Sequence, residues 1–147
     1  SIFKINHKNY NLVRVGIMAY GYSSFSKLNL KPILSLYANK ISTMVLNKNE
    51  TIGYGSKAYF VKSNNFIVSS YDIGYGDGFF RLDNNKKFKI KSGKPVLGCT
   101  SMDCLSVEGD DGEILLFDNV NELAVTHGTI VYEILTSLKH HIKRIIV

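Results

Sequence analysis

A chain of 147 residues with 45% hydrophobic and 12% aromatic content suits one folded domain that buries about 68–70% of its unfolded surface, and excludes a disordered tail. No apolar run approaches the roughly 18 residues of a membrane helix, and no signal-peptide pattern follows Ser1, so a cytoplasmic protein without membrane contact is expected. Eighteen basic against twelve acidic residues give a net charge of +6, and two cysteines, Cys99 and Cys104, are too few for a disulfide framework and lack zinc spacing.

In chain order, the first element is an apolar run from Leu12 to Tyr20, interrupted by Arg14 and Gly16. It is expected as a buried strand carrying one charge, so Arg14 should have an anionic or acceptor partner. "KPILSLYANKISTMVLN" follows, rich in β-capable residues and ending at "KNETIGYG". There Tyr54 stands between two glycines, an arrangement repeated at Gly74-Tyr75-Gly76. Glycine on both sides lets the backbone take φ > 0 and lets a ligand or another backbone come close. That suits a phenol aimed at a target, and equally a hairpin end with an aromatic plug.

"YFVKSNNFIVSSYDIGYGDG" reads as two strands around Ser63-Asn64-Asn65. The lysines Lys86, Lys87, Lys89, Lys91 and Lys94 then crowd together, either as a nucleic-acid footprint or as a solvated hairpin protecting a strand edge. "KFKIKSGKPVLGCTSMDCLSVEGDDGEILLF" reads as three or four short strands broken at Ser92-Gly93, Gly98 and a hairpin turn, Gly109-Asp110-Asp111-Gly112. After Asp118 a short helix is expected to end at Gly128. Thr129 can cap a second helix whose face carries Ile130, Val131, Ile134, Leu135 and Leu138, which places Tyr132 in its first turn, where free N–H groups favour phosphate. The expected fold is mostly β, an antiparallel β-barrel or sandwich, with two short C-terminal helices near residues 119–127 and 129–138.

Singly, the candidate site residues have plain readings. Asp77 and Asp103 suit turn or capping carboxylates, and Met102 suits core filling. Adjacent His140 and His141 cannot share one side of a helix, which argues against a common metal, and Asp110-Asp111 lack the ligand pattern of a calcium loop. "GYGDGFF" lacks the Lys-Ser/Thr ending of a phosphate loop.

Their succession says more. "RVGIMAYG", "LKPILSL", "ETIGYG", "IGYGDGFFR", "SGKPVLGCTSMDC", "GTIVYEIL" and a closing "IKR" occur in that order, from about Tyr10 to Arg144. This succession resembles the C-terminal part of alanine racemase, an isomerase that uses pyridoxal 5'-phosphate. The resemblance implies a C-terminal β domain over residues 1–147, with residues 1–22 similar to the last strand and exit of an N-terminal α/β barrel. No segment matches the family's lysine loop, "K-x-N-A-Y-G-H-G", so the stretch is expected to be part of a longer enzyme and inactive alone.

Further expectations follow from the resemblance. Arg14 would bond the pyridine nitrogen, the Gly16 and Ile17 amides and the Tyr132 hydroxyl the phosphate. Tyr54 would be the base on the L-amino-acid face, opposite a Schiff-base lysine outside this stretch. Tyr75 would line the narrow entrance, with Met102 and Asp103 at the substrate carboxylate. The partners would be L- and D-alanine and a second subunit in a head-to-tail homodimer, in a bacterial pathway supplying D-alanine to peptidoglycan. Val15, Gly76 and Cys99 depart from the family's usual proline or aromatic, alanine and arginine. A serine or broad-specificity racemase is the neighbouring reading. A non-catalytic basic β module binding nucleic acid or protein is the alternative of another class.

Overall fold

A computed structural model describes residues 11, 12, 14–23, 28–53, 58–82 and 87–147. The chain divides into two compact units, Ser1–Leu34 and Ser35–Val147.

In the first unit, the segment expected as a strand is a 3-10 helix, Gly16–Tyr20. Gly16 has φ +66°, which breaks an extended run at that residue. The turn ends at Gly21, φ +84°, where a Cβ would lie 1.8 Å from Lys31 O. Gly21 N donates to Met18 O at 3.1 Å and Tyr22 N to Ile17 O at 3.5 Å. Leu12 is 89% exposed and Arg14 is exposed as well, so the expectation of a buried charge does not hold. A strand needs a neighbour to satisfy its backbone. A 3-10 turn satisfies part of that requirement locally.

The second unit carries β1 (Leu36–Leu46), β2 (Thr51–Ile52), β3 (Tyr59–Phe60), β4 (Phe66–Tyr71), β5 (Val96–Leu97), β6 (Leu105–Glu108) and β7 (Glu113–Phe117), then α1 (Asn121–His127) and α2 (Val131–Ser137). Five strands form one antiparallel sheet in the order β5-β6-β4-β1-β7, and β2 pairs with β3. β1 serves both halves: Leu36–Asn39 pair with β7 and Ser42–Leu46 with β4, with an irregularity between Lys40 and Ser42. A bulge of this kind increases local twist and bends the strand. The sheet accordingly curls into a half-barrel. The expected mostly β, antiparallel architecture with two short helices is what the chain adopts.

Alternation drives the packing. Leu105 and Val107 of β6 face inward, as do Ile114 and Leu116 of β7. Tyr71 of β4 and Ala38 of β1 join them, while Val68 of β4 is buried on the opposite face. Val120, Leu123 of α1 and Ile134 of α2 are almost fully buried, each contributing about 1.5–3 kcal/mol of transfer free energy if large and aliphatic. Ile52, Val61, Val68 and Leu97 form a second cluster joining the β2–β3 pair to the main sheet.

Two turn expectations change. β6 and β7 lie on opposite sides of the β4–β1 pair, so residues 109–112 are a crossing connection and not a hairpin turn. They are held from beneath: Gly109 N donates to Ile67 O at 3.0 Å and Lys40 N to Gly112 O at 2.9 Å. Thr129 does not cap α2, whose N-cap is Ile130. Thr129 is engaged in ending α1: its N–H donates to Ala124 O at 2.9 Å behind Gly128, φ +65°. This is the Schellman pattern. Ile130, outside the helix, is 63% exposed.

The lysine-rich segment alternates as an edge does, Phe88 and Ile90 buried, Lys87 and Lys89 exposed. Lys91 and Lys94 pair with Asp118 and Asp111, each at 2.8 Å. Among the described residues no helix is long and apolar enough to cross a membrane.

Candidate active site

The second Gly-Tyr-Gly builds a single turn. Tyr75–Asp77 is a 3-10 helix opened by Gly74 and closed by Gly78 at φ +89°. The Asp77 carboxylate folds back, Oδ2 accepting from Gly74 N at 2.7 Å. The capping role expected for Asp77 is what it performs.

The turn lies flat against residues 101–104. Tyr75 N donates to Ser101 O at 3.0 Å and Gly76 N to Met102 O at 2.8 Å. A Cβ on Gly74 would come within 2.2 Å of Met102 O, and one on Gly76 within 2.9 Å. Only glycine permits this contact of main chain on main chain. Residues 101–104 are themselves closed by Ser101, whose Oγ accepts from Cys104 N at 2.9 Å, while Ser101 N donates to Cys104 O at 2.9 Å.

Tyr75, Met102 and Asp103 are thereby brought together with exposed side chains. Met102 is 55% exposed, which removes its reading as core filling. Asp103 is exposed, and its carboxylate has no hydrogen-bond partner among the described residues.

Tyr54 lies outside the described residues. The backbone just before it is anchored: Gly53 and Gly98 both have positive φ. A Cβ on Gly98 would meet Ile52 O at 2.5 Å, and one on Gly53 would meet Cys99 N at 3.1 Å. The segment leading to Tyr54 thus leaves β2 beside the stretch that runs on to Met102.

Tyr132 sits in the first turn of α2, its side chain half exposed. In the other unit, Gly16 has open space where a Cβ would stand, so its glycine serves the positive φ. The first amides of a 3-10 turn have no acceptor within it. Exposed Arg14 just ahead adds a permanent cation, and backbone donors beside a guanidinium suit an anionic group.

The shifted acidities lie elsewhere. Burial, then the nearby Asp111 carboxylate, raises the Tyr71 phenol above its ordinary value. Lys40, then Thr43, lowers the Asp110 carboxyl. Asp110 lies in the crossing at residues 109–112 and the Tyr71 hydroxyl bonds to it, so both report structure. Among the described residues no cluster of His, Cys, Asp and Glu could hold a metal. The pairing of His141 with Asp77 is not legible in the sequence: the ring Nε2 lies 2.8 Å from Asp77 Oδ1, across 64 residues of chain that no local motif announces.

A family model described as alanine racemase, C-terminal domain, matches residues 33–146. The chain is 42% identical over 135 residues to an alanine racemase of Campylobacter concisus (strain 13826), covering 90% of this chain and 39% of that protein. It is 43% identical over 136 residues to the alanine racemase of Campylobacter curvus (strain 525.92), covering 91% and 40%. The chain thus spans about two fifths of the length of these relatives. Among solved structures, alanine racemase of Clostridium difficile 630 matches with a TM-score of 0.76 at 28% identity, over 90% of this chain and 39% of that one. The alanine racemase from Bartonella henselae, described with covalently bound pyridoxal phosphate, also matches at 0.76, with 25% identity over 90% and 40%.

Proposed function

Since this chain belongs to the alanine racemase C-terminal domain family, we propose that it forms part of a cytoplasmic bacterial enzyme interconverting L- and D-alanine, with D-alanine destined for peptidoglycan. The observation that carries the reading is the apposition of the Tyr75 turn on Met102-Asp103. It gathers an aromatic hydroxyl, a carboxylate and an exposed backbone turn at one place, as a small amino-acid substrate requires.

Pyridoxal 5'-phosphate, when bound, supplies the electron sink that acidifies the α-proton. Arg14, Gly16, Ile17 and Tyr132 would hold it. Arg14 only donates, so it would bond a ring nitrogen without protonating it, which restrains the sink and favours simple racemisation over side reactions. Removing a proton from one face and returning it on the other needs a group on each side. Tyr54 is the proposed group for the L face, moving the proton at its phenol oxygen. A phenol has an ordinary pKa near 10, so its neighbours in the complete site must ease its ionisation. Tyr75 narrows the entrance, and the Met102 backbone N–H would meet the substrate carboxylate, with Asp103 beside it. Sites of this kind would act across the two subunits of a head-to-tail homodimer.

The test uses the full-length protein and solvent-exchange NMR on both enantiomers. Tyr54→Phe keeps the ring and deletes the ionisable oxygen, a change expected to slow racemisation about 10²–10⁴-fold. Exchange of the α-proton from L-alanine should collapse, while exchange from D-alanine survives. Tyr75→Phe should alter KM or side-chain preference and leave exchange intact. If Tyr54→Phe keeps L-alanine exchange and Tyr75→Phe abolishes it, the two roles are reversed.

A further inference from the structure

The turn carrying Tyr75 is tied to the C-terminal end of α2 at three points. Ser137 Oγ donates to Gly78 O at 2.7 Å, Lys139 N donates to Asp77 O at 2.9 Å, and His141 Nε2 meets Asp77 Oδ1 at 2.8 Å. The backbones are in close contact, since a Cβ on Gly78 would sit 1.9 Å from Ser137 O. The Asp77 carboxylate serves two masters: Oδ1 faces the imidazole, and Oδ2 accepts from Gly74 N, the amide that opens the turn. Its side chain is 19% exposed, that of His141 56%.

We infer that Asp77 and His141 are positioning residues that lock the Tyr75 turn to the segment leaving α2, so that the entrance tyrosine keeps its place against Met102. The inference rests on the role proposed above for Tyr75. Ser137 and Lys139 fix backbone to backbone. The Asp77–His141 contact differs because it reaches through the carboxylate to Gly74, and from there through the turn to Gly76 and Met102.

The His141 ring also stands 6.1 Å, centroid to centroid, from that of His140. Arg144 is engaged with the backbone, donating to Ile142 O and Lys139 O, so it does not compete for Asp77.

Amide hydrogen exchange on this chain reads the lock without any activity. His141→Ala should speed exchange at Gly74 and Gly76 about tenfold and leave the sheet amides of Val68 and Val107 unchanged, because only a local opening is made easier. His141→Arg keeps an N–H donor facing Asp77 and should restore protection. In the full-length protein, His141→Ala should raise KM for alanine about three- to tenfold with kcat nearly unchanged. Unchanged exchange at Gly74 and Gly76 would overturn the inference. So would a uniform rise that includes Val68 and Val107, since that is general loosening. Faster local exchange with an unaltered KM would overturn the positioning role by removing Tyr75 from the entrance, whereas racemase activity missing from the unaltered full-length protein would sink the functional reading and leave the exchange result standing.

Discussion

Tyr71 shows how one side chain can carry both packing and a polar obligation. It is fully buried in β4, and its hydroxyl donates to Asp111 O at 2.9 Å. Burial raises its pKa, with Asp111 adding to the effect. A folded-state value above the unfolded one means that the contribution to stability is complete below about pH 10 and is lost as pH rises through the folded value. Tyr71→Phe keeps the ring, deletes the hydroxyl and leaves Asp111 O without its donor, at a cost of about 1–3 kcal/mol near neutral pH. The same variant should show a shallower fall in stability above about pH 10 than the wild-type chain. Urea denaturation at pH 7 and at several alkaline values measures both effects. Two parallel pH profiles would mean that the phenol is not the group responsible.

At the level of elements, the crossing at residues 109–112 is pinned by side chains from the strands beneath. Asp110 Oδ1 accepts from Lys40 Nζ and from Thr43 Oγ1, each at 2.6 Å. Ser69 Oγ donates to Gly109 O at 2.7 Å. Lys40 and Thr43 hold the Asp110 carboxyl below the usual range, so this contribution is present above about pH 4 and is lost as pH falls through the lower, folded value. Lys40→Met should move the Asp110 titration back toward the ordinary carboxylate value, as read by carbon NMR, and flatten the acid limb of the stability curve. An unmoved titration would assign the shift to Thr43 alone. Much of the element list was legible in the chain. β1, β3, β4, β6 and β7 follow β-capable runs, and Gly128 ends α1 as its position suggests. The crossing was not legible, because Gly-Asp-Asp-Gly marks a change of direction and says nothing about which strand comes next in the sheet. For the same reason Gly74-Tyr75-Gly76 announced a close backbone approach but not its partner at Met102, and nothing local ties Asp77 to His141. The segment from Leu12 to Tyr20 misled through its composition, since one positive-φ glycine outweighed a run of apolar residues.

The molecule as a whole is uneven in how firmly it is built. The Ser35–Val147 unit contains nearly all the buried apolar residues, whereas among the described residues of Ser1–Leu34 only Tyr22 is buried, and Leu12, Val15 and Tyr20 are largely exposed. Few buried contacts mean a low cost of local opening. Amides from Ile17 to Tyr22 should therefore exchange at least about a hundredfold faster than those of Val68 and Val107. Uniformly slow exchange across both groups would show the first unit to be as well anchored as the sheet. The strand order carries a consequence in time as well. The last strand, β7, lies at one outer edge of the sheet, beside β1, the first strand made. A chain emerging from the ribosome can pair β1 with β4, and then β4 with β6, before Glu113–Phe117 exist. Until they appear, the Leu36–Asn39 edge stays open, and an unpaired edge is a template for another chain. The crossing thus places the most association-prone moment of this domain's synthesis just before its last strand arrives.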